Sequence, residues 1–147
     1  MTLAARRAAR LCGAALLGVA LAGCGANVPS AVQQSYDRIY PGLAAKWERQ
    51  PYGYEAVITV NEFEYEAEFA ADGTWLETEY ELAAPAFPPA VIEAIGREYD
   101  ADDISKYEVE ITPEGAFYEI EVERGGRQIE RYYDAQGEPA DNSNEDS

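Results

Sequence analysis

Two stretches of the chain repeat apolar residues on a helical period. Val32, Tyr36, Ile39 and Tyr40 fall at i, i+4, i+7 and i+8, and Val91, Ile95 and Tyr99 at i, i+4 and i+8. Each set marks one face of a helix. Pro29 stands ahead of the first stripe and Pro88-Pro89 ahead of the second, where a missing N–H costs nothing. Helices are therefore predicted over 29–40 and 88–99. After each stripe the period shortens to two. Tyr54, Ala56, Ile58 and Val60 share one side of a strand over 54–60. Phe63, Tyr65, Ala67 and Phe69 share one side of a strand over 63–69, with Glu62, Glu64, Glu66 and Glu68 opposite. Asn61-Glu62 suits a two-residue turn, because Asn tolerates positive φ. That turn pairs Val60 with Phe63, Ile58 with Tyr65, Ala56 with Ala67 and Tyr54 with Phe69. Every apolar residue then falls on one side, which a slip of one residue would reverse.

The second half behaves alike. Gly125-Gly126 makes the turn and pairs Val122 with Ile129 and Tyr118 with Tyr133. Further strands are expected near 44–49, 74–82 and 104–111. Arg131 takes the inward slot that Ala67 holds in the first half, which calls for a bulge or a snorkelling arginine.

The halves also match residue by residue. Val28-Pro29-Ser30-Ala31-Val32 corresponds to Phe87-Pro88-Pro89-Ala90-Val91 at an offset of 59. Lys46-Trp47-Glu48 matches Lys106-Tyr107-Glu108 at an offset of 60, and Tyr54-Glu55, Phe69 and Gly73 match Tyr118-Glu119, Tyr133 and Gly137 at 64. Small insertions in loops account for the drift, as in a duplicated unit. The fold expected is α+β, with two tandem repeats over 28–82 and 88–135, each a helix packed on a three- to four-stranded antiparallel sheet. A stiff Pro-rich linker, 83–87, joins them. The acidic stretch 136–147 reads as a disordered tail.

Ahead of the repeats the pattern is different. Arg6, Arg7 and Arg10 precede an apolar run from Leu11 to Ala22, about the length of a signal-peptide core and short for a membrane span. The run ends Leu21-Ala22-Gly23-Cys24, which resembles the lipobox of bacterial lipoproteins. The resemblance implies a signal peptide over 1–23, cleavage before Cys24 and lipidation of that residue. The protein then sits in the cell envelope, held to the bilayer through Cys24. Gly25 stands where Asp often signals inner-membrane retention, so a Gram-negative source implies the periplasmic face of the outer membrane. The tether, 24–27, is short. At about 3.3–3.6 Å per residue it keeps the domain within roughly 15 Å of the anchor.

Composition narrows the function. The 147 residues carry 11 basic and 28 acidic side chains and no His, for a net charge of −17. Loss of the three signal-segment arginines would leave eight basic against 28 acidic side chains, a charge of −20. Such a surface does not suit nucleic acid and repels anionic headgroups. Without His, imidazole chemistry is excluded. Of the two cysteines, Cys12 lies in the segment to be removed and Cys24 is the lipidation site, so no thiol remains for a disulfide or a nucleophile. No cofactor is expected. Many carboxylates could in principle pair for glycoside hydrolysis, but ladders on an open sheet face lack the cleft that raises one pKa and excludes water.

The acids themselves form the main chemical feature. Glu55, Glu62, Glu64, Glu66, Glu68, Glu77, Glu79 and Glu81 fall on one side of the first sheet, and Glu119, Glu121, Glu123 and Glu130 on the corresponding side of the second. Glu55 is expected opposite Glu68, and Glu121 opposite Glu130. Like charges across a strand pair cost about 0.2–1 kcal/mol each and raise one another's pKa. Three readings fit: an exposed face that is simply solvated and screened, a basic protein or peptide partner, or a divalent cation held by carboxylates such as Glu55, Glu68, Glu121 and Glu130. No calcium-loop spacing is present. Trp75 falls in the outer set with Glu77 and Glu79, as a binding anchor would, unless a bulge turns it inward. Trp47 reads as core.

The pattern resembles the PepSY-like family, also called beta-lactamase-inhibitor-like. The residues that carry the likeness are Val28-Pro29-Ser30-Ala31-Val32, Tyr40-Pro41-Gly42, Lys46-Trp47-Glu48, Tyr54-Glu55-Ala56, Phe69-Ala70-Ala71-Asp72-Gly73-Thr74-Trp75-Leu76 and Pro89-Ala90-Val91. They span about 28–137. The resemblance implies helices on antiparallel sheets, export and a non-enzymatic role, with no catalytic residues to transfer. Asp100-Ala101 departs from the Pro41-Gly42 of the first half, and no Trp follows Gly137. The functional expectation is a lipid-anchored envelope module that binds a partner, in the manner of an inhibitor, through Trp75, Glu64, Glu66, Glu68, Glu77, Glu79, Glu119 and Glu121. The alternative is a cation sensor or buffer.

Overall fold

The computed structural model describes residues 26–141. Cys24, the signal segment and the end of the acidic tail lie outside the described residues. Two ten-residue helices form where the apolar stripes predict them: α1 over Ser30–Ile39 and α2 over Pro89–Glu98. Strands β1 (Ala45–Arg49), β2 (Gly53–Val60), β3 (Phe63–Ala70) and β4 (Trp75–Glu81) follow α1. Strands β5 (Ile104–Thr112), β6 (Gly115–Arg124), β7 (Arg127–Tyr133) and β8 (Pro139–Ala140) follow α2.

The eight strands make one antiparallel sheet in sequence order, β1 to β8. This corrects the expectation of separate sheets. β4 pairs with β5 through Thr78↔Ile111, Glu79↔Glu110, Tyr80↔Val109 and Glu81↔Glu108, so the connection through α2 returns the chain to the free edge of β4. An unpaired edge exposes a row of N–H and C=O groups, and joining two edges satisfies both rows. The expected tail also starts too early: β8 pairs Tyr133 with Pro139 and Tyr132 with Ala140.

The register of β2 and β3 is the one the alternation dictates, from Val60↔Phe63 to Tyr54↔Phe69. Asn61 and Glu62 take φ of 51° and 72°, the primed turn that matches strand twist. In β6–β7, Val122↔Ile129 and Tyr118↔Tyr133 also hold, with no register shift. Arg131 therefore snorkels. It sits opposite Ile120 and reaches out to donate to the Tyr99 hydroxyl at 3.1 Å and the Glu130 carbonyl at 2.7 Å.

Both helices cover the same face of the sheet. Under α1, Val32 and Tyr36 pack with Tyr54, Ala56, Ile58, Ala67 and Phe69. Trp47 joins them as core, with its ring 5.1 Å from Tyr36 and 6.0 Å from Phe69. Under α2, Val91 and Ile95 pack with Phe87, Val109, Ile120, Val122 and Tyr133. The helix N-termini rest on two turns of like geometry. Gly73 has φ +91° and a Cβ there would lie 2.6 Å from the Ala31 carbonyl oxygen. Gly137 has φ +80° and a Cβ would lie 2.5 Å from the Ala90 carbonyl oxygen. Gly73→Ala and Gly137→Ala are each expected to cost about 1–3 kcal/mol, from backbone strain and forced separation of helix from turn. Urea midpoints measure this, and an unchanged midpoint for either would show that the helix shifts freely.

Candidate functional site

The face away from the helices carries the acids. Side chains alternate along each strand, so the same register that buries the apolar set stacks glutamates into rows across the sheet. One row runs Glu55, Glu68, Glu77 over β2–β4. The next runs Glu66, Glu79, Glu110 over β3–β5. A third runs Glu81, Glu108, Glu119, Tyr132 over β4–β7. Lys106, Glu121 and Glu130 make the fourth, over β5–β7. Carboxylates thus stand opposite carboxylates at most of the central positions.

The centre of this face is not the open, solvated surface that alternation alone suggests. Glu77 and Glu110 are 3% exposed, Glu68 4%, Glu119 5% and Glu108 6%. No helix lies over this face among the described residues, so neighbouring side chains provide the shielding. Glu77, Glu79, Lys106, Glu108, Glu110 and Glu119 surround a crevice of about 60 Å³. Lys106 is the one basic group among its described lining residues. It pairs with Glu108 at 2.6 Å. Burial works against its charge, but the Glu108 contact and the fields of Glu79 and Glu121 outweigh that and raise its pKa.

One cation cannot neutralise five buried carboxyls. Burial first, then the charges of Glu108 and Glu66, pushes Glu79 up to about 10. Burial and the hydrogen-bonded neighbour Glu119 push Glu110 up to about 10 as well. Glu119 rises to about 7, through burial and the charges of Glu108 and Glu130, partly offset by its hydrogen bond to Glu110. Glu108 is also raised by burial, against the pull of Lys106. A buried charge without a partner costs more than taking up a proton.

Of the expected partner residues, the structure brings Glu66, Glu68, Glu77, Glu79, Glu119 and Glu121 together on this face. Glu64 also points there but lies exposed near the β2–β3 turn. Trp75 does not belong to it. A bulge between Glu68 and Phe69 in the β3–β4 register sets Trp75 opposite Phe69, on the helix side. There it is half-buried against the first core, and its Nε1 donates to Thr78 Oγ1 at 3.0 Å. Thr78 in turn meets the Tyr40 hydroxyl. The four carboxylates offered for a cation form two separate pairs, Glu55↔Glu68 and Glu121↔Glu130, with β4 and β5 between them. No group of three or more His, Cys, Asp or Glu among the described residues is placed to hold a metal ion.

Sequence reasoning left out Lys106, Glu108, Glu110 and Tyr132, which complete the centre. The alternation Lys106-x-Glu108-x-Glu110 in the strand expected over 104–111 was the available signal. It shows its meaning only once β4 and β5 are neighbours.

The match to known families falls on this sheet. A family model described as "Putative beta-lactamase-inhibitor-like, PepSY-like" matches residues 52–139. The chain belongs to that family. Among solved structures, the PepSY-like chain is similar to a BLIP-like protein from Bacteroides fragilis, with 27% identity, 77% of this chain and 83% of the other covered, and a TM-score of 0.64. A DUF2874 family protein from Bacteroides ovatus shares the fold at 22% identity, covering 80% and 87%, with a TM-score of 0.69. So does a Bacteroides eggerthii protein described as "putative periplasmic", at 21% identity, covering 80% and 86%, with a TM-score of 0.66. No curated protein matches the chain. No helix among the described residues is long and apolar enough to cross a membrane.

Proposed function

We propose that this PepSY-like chain is a non-enzymatic binding module of the cell envelope, exported, anchored through Cys24, and docked to a basic protein or peptide by the glutamate rows of its helix-free face. The observation that supports the reading most is the stacking of glutamate rows across one helix-free face, with Glu64, Glu66, Glu121 and Glu130 standing more accessible around the shielded centre. Complementary positive charge would relieve repulsion along that rim, and a summed field of this sign steers cationic partners. Kinship with a beta-lactamase-inhibitor-like family favours an inhibitory outcome of docking. We further read the two helix-covered clusters as duplicated units. The matching Gly73–Ala31 and Gly137–Ala90 approaches support this. Lys and Arg in the partner would meet Glu64, Glu66 and Glu121 at the rim first, because those side chains are more accessible than the centre.

A lysine-rich peptide, titrated by fluorescence anisotropy at low and moderate salt, tests the reading. Glu121→Lys is expected to weaken binding at least about tenfold. Glu98→Lys, an equal change of net charge on the exposed side of α2, is expected to weaken it much less. Equal losses in the two variants would mean that the probe senses net charge and not this face.

A further inference from the structure

The β4–β5 junction joins the two helix-covered clusters, and its helix side is built unlike the rest of the sheet. On the helix side a groove of about 420 Å³ lies over it, lined by Ile39, Tyr40, Tyr65, Trp75, Tyr80 and Ile111, with no residue of α2 in its wall. On the other side, two of its four residue pairs are Glu opposite Glu, Glu79↔Glu110 and Glu81↔Glu108, as are two of the four between β3 and β4. Glu79 also stands opposite Glu66 of β3, and Glu110 shares the crevice wall with Glu119 of β6. An ionised carboxylate accepts hydrogen bonds and donates none, so either contact can close as a hydrogen bond only while one partner carries a proton. One ties β3 to β4 and the other β5 to β6, and Glu79 and Glu110 face each other across the junction between them.

We propose that the β4–β5 junction is a proton-operated hinge, closed while Glu79 and Glu110 are neutral and loosened when both ionise. The surroundings would not compensate that ionisation. From β3 the facing groups are Glu66 and Glu68, and along β4 they are Glu77 and Glu81. β5 adds Glu108 and Lys106, and Lys106 is engaged by Glu108. β6 and β7 add Glu119, Glu121, Glu130 and Tyr132. The raised affinity of Glu79 and Glu110 for protons places the change on the alkaline side of neutrality. Two carboxylates formed directly opposite each other repel, and the groove behind them offers little packing to resist separation.

Amide hydrogen exchange in the whole chain tests the hinge. The Leu82 N–H donates to the Tyr107 carbonyl at 2.9 Å, next in line to the four junction pairs. Its protection, normalised to the unstructured-chain rate at each pH, is expected to fall at least about tenfold between pH 5 and pH 9, relative to amides linking β2 to β3. In Glu79→Gln/Glu110→Gln, which keeps donors but cannot ionise, that relative fall is expected to vanish. Leu82 tracking the β2–β3 amides in the wild-type chain would overturn the proposal. So would the same fall in the double variant. If the double variant does not fold, Glu79→Gln and Glu110→Gln singly are expected each to remove part of the fall, and no reduction in either would count against it. The hinge concerns the free chain, so its failure leaves the partner reading standing.

Discussion

Phe69→Ala is expected to destabilise the chain by about 3–5 kcal/mol, the range for emptying a buried aromatic site. Phe69 is the largest of the fully buried side chains. Its ring lies 6.2 Å from Tyr36 and 6.0 Å from Trp47, so it links α1 to β1 through β3. It also stands opposite Tyr54 on one side and Trp75 on the other. The neighbours are fixed by strand register and cannot close over the gap without moving the helix. A small domain has about 5–15 kcal/mol to lose, so the change takes a large part of its stability. The second cluster, around Val91, Ile95 and Ile120, contains none of these contacts. Urea unfolding followed by tryptophan fluorescence, which reports the first cluster through Trp47 and Trp75, is therefore expected to shift to lower urea than the circular-dichroism transition of the whole sheet. Coincident transitions that moved by less than about 1 kcal/mol would show that the two clusters act as one core and that the site relaxes.

The helices and hairpins were legible because their signals are local. A period of 3.6 or 2 within ten residues, with Pro ahead or a turn between, is enough to set α1, α2 and the β2–β3 and β6–β7 registers. Parity counting alone sets Trp75 outward because it assumes an unbroken strand, and the bulge that the sequence left open as the alternative is the one the β3–β4 register contains. One extra residue at the bulge reverses which side every earlier position faces. The joining of β4 to β5 was not legible either, since the partners are separated by a whole helix and its linkers. Burial of the glutamates fell with it. Alternation says which side of a sheet a residue takes, not whether neighbouring rows will shield it. Glu77, Glu79 and Glu81 read as a solvated ladder along β4 until Glu108 and Glu110 are placed beside them.

Folding stability is expected to be greatest in mild acid and to fall as pH rises, the reverse of what salt-bridged carboxylates produce. An ordinary carboxyl has a pKa of about 4.3. Glu119, Glu79 and Glu110 are all raised above that in the folded chain, so between their unfolded and folded values the native state binds more protons than the unfolded one. Stability then decreases with pH. The contribution is complete below about pH 4 and declines as pH rises from there; that of Glu119 is exhausted near neutrality, and those of Glu79 and Glu110 only further into the alkaline range. Two groups raised by only one unit each already amount to on the order of 3 kcal/mol. The net charge of −17 adds self-repulsion in the same direction. Thermal melts from pH 5 to pH 9 at fixed ionic strength check the slope. Glu110→Gln separates the two causes, because it removes one buried ionisation while changing net charge by a single unit. A flatter profile in that variant assigns the slope to the buried rows. A profile parallel to the wild type would assign it to overall charge and would remove the case that these carboxyls hold protons at all.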